Sequence, residues 1–312
     1  MVKASASAKV ILFGEHAVVY GEPAIAVPVS ALRAEVEVIE TNQSFHIIAR
    51  DLNNKVIDFD GDDPLAQVAQ LVFARIGQTP PKITLAVQSN VPIASGLGSG
   101  AAISTAIVRA LLAYGNVSLG QEEINQIIYE VEKIHHGTPS GIDNTVVVYE
   151  QPVYFVREHP IEILNNRQDF QLLIADTGQA SLTKIAVGDV RKLYEHEPER
   201  IKAIFSEIGK ITILAREAMQ QGHIEALGKL MWDNHQFLQA LTVSSLELDK
   251  LIYAARIAGA MGAKLSGGGR GGNMIALVKK NTGDSVKKAL LDAGAVRVFE
   301  TVVEKSGNGH TS

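Results

Sequence analysis

Six of the eleven residues from 262 to 272 are glycine (GAKLSGGGRGG), and this run lies between a helix-patterned stretch and an apolar, strand-like one. Glycine loses more backbone freedom on folding than any other residue, so such density is costly unless something requires it. Backbone packed closely against a ligand or another loop would require it. A flexible linker would not, and the regular flanks argue against a linker. A second glycine run, Gly96-Leu-Gly-Ser-Gly100, follows Pro92 and precedes Ala, Ile and Leu at helical spacing. Glycines at the mouth of a helix let backbone N–H groups approach an anion, and the helix N-terminus adds favourable partial charge. Taken alone, that turn reads equally well as a tight strand-to-helix connection. No GxxxxGK[ST] run occurs in the chain, which excludes a Walker-type NTPase.

The hydrophobic pattern is that of an α+β chain. Apolar or alternating runs at 8–13, 24–29, 33–39, 45–49 and 82–88 predict strands, with a helix over 64–76. Helices are expected over 98–114 and 121–135, the second opened by a capping box of Ser118 and Gln121. HGTPSGIDN (136–144) then reads as a loop. Gly137 is its helix-terminating glycine, and Pro139 and Gly141 form a turn that presents Asp143 ahead of a β-branched strand at 145–149. Further on come a strand at 171–176 and helices over 183–195, 198–220, 223–241 and 246–260. Strands at 273–279 and 296–303 flank a helix at 283–293. The polar stretch 157–169 is the expected seam, which gives domains 1–162 and 163–312, and the tail Ser306–Ser312 is expected to be mobile.

Composition narrows the function. A chain of 312 residues, 46% hydrophobic and 20% charged, can bury a sizeable core and is long enough for two domains. A net charge of -5 argues against duplex nucleic acid as a partner. The absence of cysteine excludes disulfides, thiolate zinc sites and a cysteine nucleophile. Val10–Phe13 is too short for a signal peptide, and no run of about 18 apolar residues exists, so the reading is a cytoplasmic protein with no membrane partner.

Individually, the chemically able residues have ordinary readings. Asp143 reads first as a turn side chain bonding its own backbone, and Lys9 as an edge-strand lysine with its stem on apolar surface. His16 reads as a turn residue, His135 as a helix-end residue and Trp232 as core or interface, and no histidine pair has metal-ligand spacing. The combination points further. Phosphoryl transfer from ATP needs an anion cradle, Mg²⁺ ligands, a carboxylate near the acceptor hydroxyl and positive charge, and the chain carries candidates for all four.

In order and spacing these segments resemble the GHMP kinases. ASAKVILFGEHAVVYG (6–21), PIASGLGSGAA (92–102) and KLSGGGRGG (264–272) resemble the family's three motifs. GEHAVVYG and EKIHHGTPSGIDN (132–144) are similar to the form found in the branch that acts on mevalonate. DTG at 176–178, Thr183-Lys184 and NHQFLQALTVSS (234–245) agree with it too. The resemblance implies a two-domain fold, the N-terminal domain like ribosomal protein S5 domain 2 and the C-terminal one ferredoxin-like, with ATP bound between them. It implies transfer of the ATP γ-phosphate to the 5-hydroxyl of mevalonate, with Mg²⁺ as cofactor and a homodimer as the assembly. By the same resemblance Asp143 is the carboxylate at that hydroxyl, with Lys9 beside it. Glu15, His16 and Thr183 place the substrate. Pro92, Ser95, Gly96, Leu97, Gly98, Ser99 and Gly100 hold the ATP phosphates, and Ser99 and Glu132 hold the metal. The loop 267–272 supports the phosphate loop.

The chain departs from the family pattern at three points. Ser7-Ala8 stands where the first motif has Pro-Gly, Gly100 replaces a second serine, and Arg270 interrupts the third glycine run. For Arg270, charge near the nucleotide and a plain surface role both stay open. A phosphomevalonate-directed kinase would want extra Lys or Arg in its pocket, which Glu15 and His16 do not supply. A decarboxylase and a non-catalytic binding protein on the same scaffold are the other readings.

Overall fold

The computed structural model describes residues 1–92, 95–136, 141–181 and 183–307. By internal contacts the chain divides into two units, neither of them one continuous stretch. The first contains Met1–Lys9, Leu32–Pro92 and Gly98–Glu150. The second contains Val10–Ala31, Ile93–Leu97 and Gln151–Ser312. The strands β1 (Val2–Phe13) and β2 (Ala24–Glu40) pair with each other and supply a segment to each unit. The two runs expected at 24–29 and 33–39 are therefore one strand, β2.

In the first unit, the far end of β2 pairs antiparallel with β5 (Ile83–Ser89) over Ala34–Glu40. β5 pairs in parallel with β3 (His46–Ala49), which pairs antiparallel with β4 (Lys55–Asp58). Four helices accompany this sheet: α1 (Pro64–Ile76), α2 (Ser99–Tyr114), α3 (Gln121–His136) and α4 (Ile142–Tyr149). α1 is bounded as its sequence predicts. Asp63 caps it through Leu65 N at 3.0 Å, Pro64 occupies the first turn, and Gly77 ends it in the left-handed region. Phe45, Phe59 and Phe73 meet edge to face, with centroids 5.3 to 5.9 Å apart.

Two local expectations are corrected here. The segment 145–149 is helix, not strand. Gly141, at φ 87°, opens α4, and Thr145 Oγ1 donates to the Gly141 carbonyl at 2.7 Å. Val146, Val147 and Val148 are buried in a helix that packs on α2 and α3, so tertiary burial overrides the β-branched preference for a strand. The cap of α3 is also shifted. The Gly120 N–H donates to Glu123 Oε2 at 2.9 Å, so the reciprocal bond involves Gly120 and Glu123 rather than Ser118 and Gln121. Gly137 and Pro139 lie outside the described residues.

In the second unit, the near end of β2 pairs with β6 (Val153–Phe155), and β6 pairs with β7 (Glu162–Ile163). A separate antiparallel sheet contains β8 (Phe170–Asp176), β9 (Gly262–Ser266), β10 (Asn273–Val278) and β11 (Arg297–Val303), in the order β11-β8-β10-β9. With α5 (Thr183–His196), α6 (Pro198–Gln221), α7 (Ile224–Ala240), α8 (Leu246–Ile257) and α9 (Gly283–Asp292), this is the ferredoxin-like order 4-1-3-2. β9 and β10 are buried along their whole length, and their inward side chains share a core with Phe205, Ile208, Leu238, Leu248 and Leu290. α7 lies directly on β9. A Cβ added to Gly228 would come within 2.6 Å of the Met261 carbonyl oxygen, and one added to Gly262 within 2.3 Å of the Gly228 carbonyl oxygen. Trp232 donates from Nε1 to Met261 O at 2.9 Å, which makes it a member of this seam. No helix among the described residues is long and apolar enough to cross a membrane.

Candidate active site

The sequence-predicted residues fall into two sets, one in each unit. In the first unit, β1 carries Lys9 inward. Its side chain is 3% exposed, and Nζ meets Asp143 Oδ1 at 2.7 Å. Asp143 stands in the first turn of α4, at the positive end of that helix. The glycine turn before α2 packs on the same lysine. A Cβ at Gly98 would lie 3.0 Å from Lys9 Cγ, a tight contact, and φ there is +72°, so glycine is favoured on both counts. Ser99 and Gly100 open α2. Glu132 of α3 reaches over the same turn, its Oε1 3.5 Å from where a Gly100 Cβ would sit. Pro92 is buried at the end of the segment after β5.

Glu150 joins the elements that bear these groups. Its Oε1 accepts from Ser7 N, Arg33 Nη2 and Arg109 Nη1, each at 3.0 Å. Arg109 also donates to the carbonyls of Ser5 at 2.7 Å and Val148 at 2.9 Å. Here the first departure from the family pattern is accommodated. With Ser7-Ala8 in place of Pro-Gly, β1 runs unbroken, and the Ser7 N–H is spent on Glu150.

The second set centres on Glu15 and His16. Glu15, 1% exposed, forms a buried ion pair with Lys264 of β9, and Asn234 of α7 donates to its other oxygen at 3.3 Å. Burial pushes the Lys264 ammonium below the usual lysine range, and the Glu15 carboxylate pushes it back. His16 contacts the Gly268 carbonyl through Nε2 at 3.0 Å. Burial lowers its pKa from 6.5 to about 4. Thr183, at the start of α5, lies against Gly268, where an added Cβ would come within 2.6 Å of its Oγ1.

The third glycine segment is a packing device, as its density implies. Asn273 Nδ2 donates to Ser95 O at 2.6 Å, and a Cβ on Gly272 would lie 3.3 Å from the same oxygen. Thr177 donates to Gly272 O through its N–H at 2.9 Å and its hydroxyl at 2.8 Å. Gly96 and Leu97 belong to this unit beside Ser95. Arg270 does not extend toward open space. Its guanidinium pairs with Asp189 of α5 and donates to Thr242 O at 3.2 Å. A cavity of about 530 Å³ borders Ser95, but the rest of its lining is the Asp176–Ala180 turn with Val296 and Arg297.

Sequence reasoning named no role for Lys264, Asn234 or Glu150. The first two lie inside quoted motifs, yet their partner Glu15 is more than 200 positions away.

Comparison with known proteins identifies the family. The family model for the GHMP kinases N terminal domain matches residues 64–151, and that for GHMP kinases C terminal matches 215–296. The mevalonate kinase of Thermococcus gammatolerans is 34% identical, covering 98% of this chain and 97% of that one. Among solved structures, the L. major mevalonate kinase in complex with R-mevalonate superposes with a TM-score of 0.86 at 30% identity, covering 98% of this chain and 97% of that one. The Methanococcus jannaschii mevalonate kinase gives 0.85 at 27% identity, covering 96% of each chain. With both family models matched and full-length relatives above 30% identity, the chain belongs to the GHMP kinases, a family of small-molecule kinases.

Proposed function

We propose that this chain transfers the γ-phosphoryl group of ATP to the 5-hydroxyl of (R)-mevalonate, giving 5-phosphomevalonate and ADP. The observation that carries the reading is the Lys9–Asp143 pair, held at 2.7 Å beside the glycine turn that opens α2. The carboxylate receives and orients the acceptor hydroxyl and is a base for its proton as the O–P bond forms. The lysine stabilises negative charge on the oxygen and on the transferring phosphoryl group. Ser95–Gly100 supply backbone N–H groups to the ATP phosphates, and Pro92 shapes the approach to that loop. His16 and Thr183, which meet at Gly268, place the substrate, with Glu15 acting through its chain neighbour His16.

Mg²⁺ belongs to this reading. A Ser99 hydroxyl and a Glu132 carboxylate over the first turn of α2 are hard oxygen donors, and a magnesium ion shared with phosphates asks for only one or two of these. When bound, the ion neutralises phosphate charge. The division into halves 1–162 and 163–312 is supported by where the two family models fall. A homodimer and a cytoplasmic location complete the proposal.

The test is ADP release by the purified protein with Mg-ATP, comparing mevalonate, phosphomevalonate, galactose and homoserine. Turnover with mevalonate alone is expected. Turnover with another of the four would keep the kinase and overturn the acceptor.

A further inference from the structure

We propose that Lys264 and Asn234 are positioning residues, which hold Glu15 away from the substrate and so fix His16 as a neutral acceptor, through Nδ1, for a substrate hydroxyl. The inference deepens the kinase reading above and rests on it. Glu15 and Lys264 are 1% and 0% exposed in their side chains. One Glu15 oxygen takes the Lys264 ammonium, which also donates to Leu265 O at 2.7 Å. The other takes the Asn234 amide at 3.3 Å, and Asn234 is itself fully buried. A carboxylate buried in this way, with both oxygens engaged, is a brace rather than a surface that a ligand meets.

What the brace holds is the next residue. His16 sits at φ 61° and ψ -47°, a conformation that non-glycine residues adopt only when their surroundings impose it. Its ring is buried, and Nε2 lies 3.0 Å from the Gly268 carbonyl, which can only accept. The proton therefore resides on Nε2. The charged groups acting on the ring, Lys264 and Arg270, both disfavour a second proton, in the same direction as burial. Nδ1 is then a lone-pair acceptor, and it is buried with no partner among the described residues. A buried acceptor without a donor is costly, and a ligand that brings one relieves that cost. A hydroxyl brings a donor; an ionised carboxylate or phosphate does not. The ring thus selects for a hydroxyl at this point of the substrate and against a charged oxygen.

Two measurements test this. In protein labelled with ¹⁵N-histidine, the His16 signal, assigned by its loss in His16→Asn, should report the neutral Nε2–H tautomer from pH 8 to 5. Its Nδ1 resonance should move on addition of mevalonate. In steady-state assays, Asn234→Ala and the double variant Glu15→Gln/Lys264→Met should raise KM for mevalonate about tenfold, the cost of one misplaced hydrogen bond, with KM for ATP within about twofold. The double variant should recover the melting temperature lost by each of its single variants, because no buried charge is left unpaired. Recovery of KM along with melting temperature, or a parallel rise in both KM values, would reduce the set to a structural role. A protonated or Nδ1–H His16 at pH 7 would remove the hydroxyl assignment outright. A wild-type enzyme inert toward mevalonate would instead overturn the acceptor, while the tautomer would still be read.

Discussion

Lys9 and Asp143 share one contact but not one environment, since their side chains are 3% and 38% exposed. The lysine is built into the strand, and the carboxylate retains a free face for a substrate. Asp143→Asn is expected to lower kcat about 10²–10⁴-fold, the usual worth of a positioned acid–base group, while binding of a non-hydrolysable ATP analogue by calorimetry stays within about twofold. Equal losses in both would remove Asp143 from its assigned role. His16 makes a different kind of prediction. Its pKa falls from 6.5 to about 4 on folding, so between those values the unfolded chain binds the proton and the native one does not. Its share of stability is complete above pH 6.5, declines as pH falls, and is lost to the extent of about 3 kcal/mol near pH 4. Denaturant titrations of wild type and His16→Asn should converge as pH is lowered across that window. At this scale Lys9 and Asp143 taken singly read as ordinary strand and turn residues, and only the resemblance of the motifs around them singles them out. The sequence is silent on the partner of Glu15, because 249 positions separate it from Lys264 and no spacing rule spans them.

Among the elements, α4 is where local reading fails, and the reason is physical. The run Thr145 to Val148 favours a strand, but packing on α2 and α3 buries it in helical geometry. α1 is the opposite case. Its N-cap, first-turn proline and terminal glycine all agree with its hydrophobic period, and the expected bounds 64–76 are the observed ones. Short or glycine-bearing strands such as β7 and β9 carry too little periodicity to be read. The Glu150 junction links four elements through one carboxylate oxygen, including those that bear Lys9, Ser99 and Asp143. Replacing it by glutamine leaves Arg33 and Arg109 without their counter-charge. Glu150→Gln should cost about 1–3 kcal/mol of stability in denaturant unfolding, and kcat should fall although the residue touches no reacting atom. An unchanged kcat at full folding would show that α4 holds Asp143 unaided.

For the whole molecule, the glycine segments are the clearest guide. The third predicts backbone packed closely against a ligand or another loop, and it does pack against Ser95 and Gly96. The 4-1-3-2 strand order of the second unit follows from no local pattern, because long-range pairing of β8 with both β10 and β11 determines it. A kinase of this kind should lose turnover to EDTA and regain it with Mg²⁺, and Ser99→Ala should raise the Mg²⁺ concentration needed for half-maximal rate. A dependence on Mg²⁺ identical to wild type would exclude Ser99 from the ion's surroundings. The α7–β9 seam bears on how such a chain changes over generations. A side chain on Gly262 would need the space of the Gly228 backbone, one on Gly228 would need that of the Met261 backbone, and backbone atoms cannot swing aside. Neither position can mutate first, and mutating both doubles the obstruction. Under selection for activity these glycines would be as invariant as Asp143. Only an assay of soluble yield would separate invariance that protects a reaction from invariance that protects a seam.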